Sequence, residues 1–418
     1  MKEMLLEGKQ VLVIDRDFDL GRSGLRMFDG KHRFVLDSPE YKEVDIQATV
    51  RKDIRDPYCD FVIKASPAES LAGRRFVKGL GIASVKGIRE QADNQHLKVE
   101  QEESFINFAY MYAREIIDNL PNGYDAKTTP IIAKAGVCIP TAEYYSDKYL
   151  EMKEKLIGAY CIYFPVTEET VKFEISEEDV VVSPEGPAAM EPIYLYGSDE
   201  EVDLIETTTG MIIDIGYGST DATPIDAGEP LGDIARSFSY GGITLRSAIT
   251  SALEREGFGM TSANTTLAIE RGYVRLNGDK EDVSPYVNTC KDRLARKVKQ
   301  SAAEVMNEDF RQLTDLAYLF CMGRSFKSKE DSKDAEYDIG DLKEKLKDAF
   351  GNNIRIITPV MAKGEYTCLN RTKTEKDGSY AIDTDIDKYE FANVYGLGIA
   401  RGQAKEDAEG EVENRDAI

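Results

Sequence analysis

Two stretches of the chain show the same order of apolar and polar positions. Residues 11–18 (VLVIDRDF) read as a strand that runs into DLGRSG; Leu25, Arg26, Met27 and Phe28 resume it, a turn falls at Asp29-Gly30, and HRFVLD follows. Residues 211–215 form an apolar strand that meets a glycine-rich turn, returns as 221–225 and turns again at Asp226-Ala227-Gly228. The acids at which the two copies turn, Asp19 and Asp214, are 195 residues apart (214 − 19), close to half the chain. Paired hairpins at that separation predict a duplicated architecture, with the two turns facing each other across a cleft.

Helical spacing fills much of the remainder. Phe105, Phe108, Tyr112, Ile116 and Leu120 form a stripe that stops at Pro121-Asn122-Gly123. Val137, Cys138 and Ile139 read as a short strand ended by Pro140, with a charged helix expected over 142–157. Leu245, Ile249 and Leu253 make a stripe closed by Gly257. A longer helix over 285–306 carries Val287, Cys290, Leu294, Val298 and Val305, and Ile339, Leu342, Leu346 and Phe350 form another ending at Gly351. Strands mixed with crossover-sized helices predict an α/β protein. Residues 327–338 (KSKEDSKDAEYD) read as a solvated loop, and the polar tail 403–418, which lacks aromatics, is expected to be disordered.

Composition changes the picture in three ways. A length of 418 residues suits about two or three domains, or two large ones, and no apolar run approaches the roughly 18 residues of a membrane span. The start, MKEMLLEGKQ, is too charged for a signal peptide, and the six cysteines are scattered without a CxxC pair, so reduced thiols and a cytoplasmic location are expected. Only His32 and His96 are present, which argues against a Ser-His-Asp triad or a multi-histidine metal site. Chemistry must therefore rest on carboxylates, backbone amides and a bound cation. Finally, 53 Lys+Arg against 76 Asp+Glu leave a net charge of −23, a surface that repels phosphate backbones. Direct nucleic-acid binding is not expected, whereas a basic protein partner is easily accommodated.

The two hairpins supply a candidate phosphate site. Gly21, Gly216 and Gly218 allow close approach, while the hydroxyls of Ser23, Ser219 and Thr220 and the turn amides can donate to phosphate oxygens. Asp19 and Asp214 stand where a strand ends, placed to hold a Mg²⁺ that neutralises phosphate. Asp15 and Asp17 compete with Asp19, but only Asp19 has the D-x-G step. Other candidates fall away: Asp383, Asp385 and Asp387 mimic the start of a calcium loop, but Lys388 and Val394 occupy positions that need Gly and Glu. Asp377-Gly378 fits a hairpin turn. Lys291, Arg293, Arg296, Lys297 and Lys299 read mostly as a solvated helix face, with one or two able to reach the cleft.

The pair DLGRSGLR (19–26) and DIGYGSTD (214–221) resembles the two phosphate loops of the actin, sugar-kinase and chaperone-ATPase superfamily. Further segments agree in order: VCIPTAEYY (137–145), VVVSPEGPAA (180–189), SYGGITLRSAI (239–249), DLAYLFCMGRSF (315–326) and ANVYGLGIARG (392–402). Together they resemble bacterial actin-like ATPases, the plasmid-segregation actins of the ParM type above all. The resemblance implies a two-lobed actin-like α/β fold (ribonuclease H-like, duplicated) with a nucleotide cleft between lobes. Domain I would span 1–204 and regain 395–402, domain II 205–394, and 403–418 would be an acidic tail. It further implies ATP or GTP with Mg²⁺, bound by Asp19, Gly21, Arg22, Ser23 and Arg26 of the first loop. Gly216, Tyr217, Gly218 and Ser219 of the second loop and Gly323 and Arg324 of the adenosine motif would complete the set. Asp19 and Asp214 would serve the metal, and Glu185 with Asp214 catalysis, Glu185 orienting the attacking water. Two positions depart from the pattern: Arg26 stands where the family keeps Lys, and Arg324 where it keeps a second Gly. The implied function is a nucleotide-dependent filament of head-to-tail subunits that engages DNA through a basic adaptor, without membrane or direct nucleic-acid contact. A small-molecule kinase and a non-segregating filament are the alternatives on the same fold.

Overall fold

The structure is a computed structural model. It describes residues 1–6, 9–21, 24–31, 33–48, 56–79, 82, 85, 89–90, 97–308, 312–326, 337–351, 353–362, 366–369, 372–374, 380–382 and 387–402. The first lobe is built on β1 (Lys9–Leu20), whose first half pairs with Lys2–Leu6 and whose second half pairs with β2 (Leu25–Phe28), which in turn pairs with β3 (Arg33–Asp37). The helix α1 (Glu102–Asn119) covers this sheet; Phe105, Phe108, Tyr112 and Ile116 of its expected stripe are buried, with the Phe108 and Tyr112 rings 5.0 and 5.3 Å from Phe18, while Leu120 falls past its end and is half-buried. β4 (Ile131–Ile139) then lies parallel to β1 with Cys138 opposite Asp19, and β5 (Val180–Pro184) lies parallel to β4 with Pro184 opposite Ile139. The carboxyl ends of three parallel strands thus sit side by side.

From β5 the chain crosses to a second sheet. α2 (Pro187–Tyr196) and α3 (Asp199–Thr207) pack Ala189, Met190, Ile193 and Ile205 on Ile212, Ile225 and Phe320 of that sheet. β6 (Thr209–Ile215) pairs antiparallel with β7 (Thr220–Asp226), and the tight turn after β7 holds both Ala227 and Gly228 at positive φ, as a two-residue hairpin of the strand's own twist requires. α4 (Gly242–Arg255) and α5 (Ser284–Glu308) cover the sheet's far face. β8 (Leu316–Met322) lies parallel to β6 with Met322 opposite Asp214; α6 (Leu342–Phe350) and β9 (Arg355–Ile357) follow. The returning helix α7 (Lys388–Ala400) seats Phe391, Val394 and Tyr395 on Phe28 and Phe34 of the first sheet. It also crosses α2 so closely that a Cβ on Gly396 would overlap the Ala188 carbonyl. The two hairpins have equal registers: Asp19 faces Arg26 and Asp214 faces Asp221, each pair seven residues apart (26 − 19 and 221 − 214). Two mixed sheets, each turning on one such hairpin, form a two-lobed α/β fold.

Several expectations need correction. The helix expected over 142–157 is broken into Thr141–Glu143 and Tyr149–Leu156 by a wide turn in which Asp147 has φ 62°. Asp tolerates that conformation better than most side chains, so the break costs little. The strand expected at 137–139 is the end of the nine-residue β4, and Ile339 precedes α6, which begins after the cap residue Asp341. Among the strands that were not anticipated, Asp60–Ala65, Arg74–Lys78, Gly158–Phe164 and Glu169–Ile175 extend the first sheet. Only Glu169–Ile175 alternates with charges outward; Gly158–Phe164 carries no charge, and Arg74–Lys78 buries Arg75 and Lys78, so a period-2 signal is weak across the set. Strands Thr372–Thr374 and Tyr380–Ile382 pair antiparallel on either side of the expected turn at Asp377-Gly378, which itself lies outside the described residues. The loop 327–336, residues 383–386 and the tail 403–418 also lie outside them, while Asp387 caps α7. No helix among the described residues is long and apolar enough to cross a membrane.

Candidate functional site

The carboxyl ends of β1, β4, β5, β6 and β8 converge on one cleft between the sheets, enclosing about 480 Å³. Open α/β sheets place ligands at such a switch point, because there the connections leave in opposite directions and leave a crevice. Of the three acids of β1, only Asp19 lines it. Asp15 and Asp17 are ion-paired with Arg401 beyond α7, and burial pushes the fully enclosed Asp17 carboxyl up to about 6 against that pairing.

Asp19 is held by two cations. Arg26 Nη1 lies 3.1 Å from its Oδ2 and also donates to the Gly24 carbonyl, so the guanidinium lies across the first turn. A side chain at Gly21 would strike that guanidinium. Lys98 Nζ lies 3.1 Å from Asp19 Oδ1 and 2.6 Å from Glu185 Oε1. Burial alone would push the Asp19 carboxyl up, but Lys98 and Arg26 outweigh it and hold it below its ordinary value. Arg22 and Ser23 lie outside the described residues.

The second turn, Gly216, Tyr217, Gly218 and Ser219, lines the opposite wall. The start of α4 docks on it: Gly242 N donates to the Gly216 carbonyl (2.9 Å) and Ile243 N to the Tyr217 carbonyl (2.8 Å). This orients the positive end of a fourteen-residue helix toward the cleft. Thr220 departs from expectation: its hydroxyl donates to the Tyr240 carbonyl at 2.7 Å and is fully buried, so it faces the α4 approach and not the cleft. Gly323, at φ 96°, follows β8 and lines the cleft; a Cβ there would overlap the Ile215 carbonyl. The Arg324 side chain lies outside the described residues.

One oxygen each of Glu185, Asp214 and Asp221 lie within 4.8 Å of one another. The Asp214 carboxyl is pushed well up by burial, then by Asp221, Glu185 and Asp19, with Arg26 opposing. Three carboxylates this close suit a hard divalent cation, which takes oxygen ligands and relieves their repulsion. Mg²⁺ therefore fits the donor set, with Asp214 and Asp221 on one hairpin and Glu185 beyond β5. Asp19, expected to share the metal, instead has both oxygens engaged by Lys98 and Arg26.

An actin family model matches residues 196–349, which span most of the second sheet and its helices. No curated protein sequence matches the chain. Among solved structures, the actin-like protein Alp7A aligns with a TM-score of 0.64 at 13% identity, over 97% of this chain and 100% of that one. The fold is actin-like. An archaeal actin homolog aligns with a TM-score of 0.59 at 14% identity, over 94% of this chain and 100% of that one. A subunit of a 15-stranded ParM filament from Clostridium botulinum gives 0.57 at 16% identity, over 94% and 100%. The resemblance to ParM-type actins seen in the motifs thus extends to the fold.

The actin-like cleft also holds residues that had not been assigned to the site. Lys98 and Glu143 line it from the first lobe, and Lys291, Glu390 and Asn393 from the second lobe and the returning helix. Asn393 Oδ1 accepts from Gly186 N at 3.0 Å and so ties α7 to the crossing after β5. Lys291 was one of five basic residues expected on its helix; burial lowers its amine to about 8, and Nζ donates to the Gly340 carbonyl at 3.0 Å. Lys98 stands in no motif, and Glu143 lies inside the 137–145 segment without a role attached to it.

Proposed function

We propose that the protein is an actin-like ATPase whose head-to-tail filament assembles with ATP or GTP and Mg²⁺. The observation that carries this reading is the pair of equal-register glycine turns facing one cleft, with Glu185, Asp214 and Asp221 gathered between them. A structure of the archaeal actin homolog in complex with ADP, aligning at a TM-score of 0.58, supports nucleotide binding by this fold. The turn amides of 216–219 and the start of α4 would cradle phosphates, and Arg26 would reach them from the first turn. Asp214 and Asp221 would hold Mg²⁺, which neutralises phosphate charge when bound. Glu185, at the mouth between the lobes, would align the attacking water and accept its proton.

Filament formation is proposed from the likeness to ParM, one match being a subunit of a ParM filament. A head-to-tail contact is heterologous and does not close, so it propagates. The finer reading is plasmid DNA segregation through a basic DNA-binding adaptor, which suits a subunit of charge −23. Electron microscopy and sedimentation of the pure protein with Mg²⁺ and ATP or GTP, with phosphate release read in the same sample, test the reading. Filaments and phosphate release together support it; neither one with either nucleotide overturns it.

A further inference from the structure

Lys98 is placed with unusual completeness for a residue outside every motif. It opens the short turn Lys98–Glu100, and its backbone N donates to both Glu143 carboxylate oxygens at 2.9 Å. Its carbonyl accepts from the Ser104 hydroxyl of α1 at 3.0 Å. The ammonium has three hydrogens, and three acceptors surround it: Glu185 Oε1 at 2.6 Å, Asp19 Oδ1 at 3.1 Å and the Cys138 carbonyl at 3.0 Å. The residue is 5% exposed.

Two roles are open to a lysine at the phosphate end of a cleft. It can bind phosphate directly, or it can orient a carboxylate. Here every donor is already committed to the protein, across the ends of β1, β4 and β5, and the backbone is anchored on both sides. We infer that Lys98 is a positioning residue, whose ammonium fixes the rotation of the Glu185 carboxylate and ties it to Asp19. Arg26 remains the first lobe's phosphate-directed cation. A carboxylate that aligns water must hold one orientation, and a misplacement of about 1 Å can cost on the order of 10²-fold in rate. This assignment rests on the hydrolytic reading above.

The test compares wild type, Lys98→Met, Glu185→Gln and the double variant. Phosphate release gives kcat and KM, and a fluorescent ATP analogue gives affinity. Lys98→Met should lower kcat on the order of 10²-fold and leave KM and affinity close to wild type. In the Glu185→Gln background the same change should have little further effect on kcat, because the residue it positions is already disabled. Urea unfolding of the nucleotide-free proteins gives a second reading: the shift in midpoint caused by Lys98→Met should shrink in the Glu185→Gln background. Lys98→Gln, which keeps one donor but no charge, serves if Lys98→Met does not fold, with the same expectation.

A raised KM with unchanged kcat would show a phosphate ligand and overturn the assignment. Equal losses in both backgrounds would overturn it too. A wild-type protein that turns over no nucleotide overturns the hydrolytic reading and this assignment together. Hydrolysis by the wild type with unaltered hydrolysis by the Lys98 variants overturns this assignment alone.

Discussion

Asp214→Asn should separate the chemistry of the cleft from its stability. The side chain is 8% exposed and has one oxygen within 4.8 Å of an oxygen of Asp221 and one of Glu185. At that distance two unit charges repel by about 3.5 kcal/mol with an effective dielectric constant near 20. Arg26 attracts the same carboxylate, and protonation relieves part of the repulsion, so the net cost in the nucleotide-free protein is smaller. The sign follows from the raised carboxyl: its stabilising contribution is complete below the ordinary Asp value and is lost as pH rises through the elevated folded value. Asparagine has the same shape and no charge. The nucleotide-free variant should therefore be more stable than wild type at pH 8 by about 1–3 kcal/mol, with the gap closing toward pH 4. It should also lose the extra stability that Mg²⁺ and ATP confer on the wild type, along with phosphate release. Urea unfolding at pH 4, 6 and 8, in EDTA and again with Mg²⁺ and ATP, reads all of this. A variant less stable than wild type in EDTA at pH 8 would refute the electrostatic argument, and retained nucleotide stabilisation would refute the metal assignment.

Glu185→Gln should slow phosphate release by about 10²–10⁴-fold while filaments still pellet with ATP, giving long-lived polymers; joint loss of nucleotide binding and assembly would mark a structural Glu. Gly396→Ala should lower the urea midpoint by about 1–3 kcal/mol in stability, because a methyl there meets the Ala188 carbonyl and pushes α7 off α2; an unchanged midpoint would show that the helices yield freely. Lys78 is buried against Tyr110, donates to the Ser38 carbonyl at 2.7 Å and has its amine lowered from 10.5 to about 8 by burial. Its folded value being depressed, its stabilising contribution is complete above 10.5 and is lost as pH falls toward 8; at about 1.4 kcal/mol per unit that is about 3 kcal/mol. Lys78→Met should flatten that part of the stability profile between pH 8 and 10.5, and a slope unchanged from wild type would refute the shift.

Features encoded locally are legible in the chain before any tertiary contact is considered. Each hairpin announces itself, because a strand that ends in D-x-G and resumes after a short turn has few ways to fold, and the two copies share one register. The stripes of α4 and α5 were legible because each helix buries a single face, and that of α1 because apolar residues recur at helical spacing, although this helix is buried on most sides. Asp19, Gly21 and Gly216 stood out because they stand at D-x-G turns after strands, and Gly323 through the resemblance of its segment to the adenosine motif. How the charges are shared among the acids depends on contacts between distant parts of the chain. Lys98 meets Asp19 and Glu185 across 79 and 87 residues, and Arg401 takes Asp15 and Asp17 from 386 and 384 residues away. No periodicity or spacing reports such pairs, since they depend on which strand ends the parallel sheet brings level. The diversion of Thr220 to Tyr240 is of the same kind, whereas the break at the exposed Asp147 is a local turn. A buried polar group takes the partner that the surrounding fold sets within reach, because leaving it without one costs more than any local preference is worth.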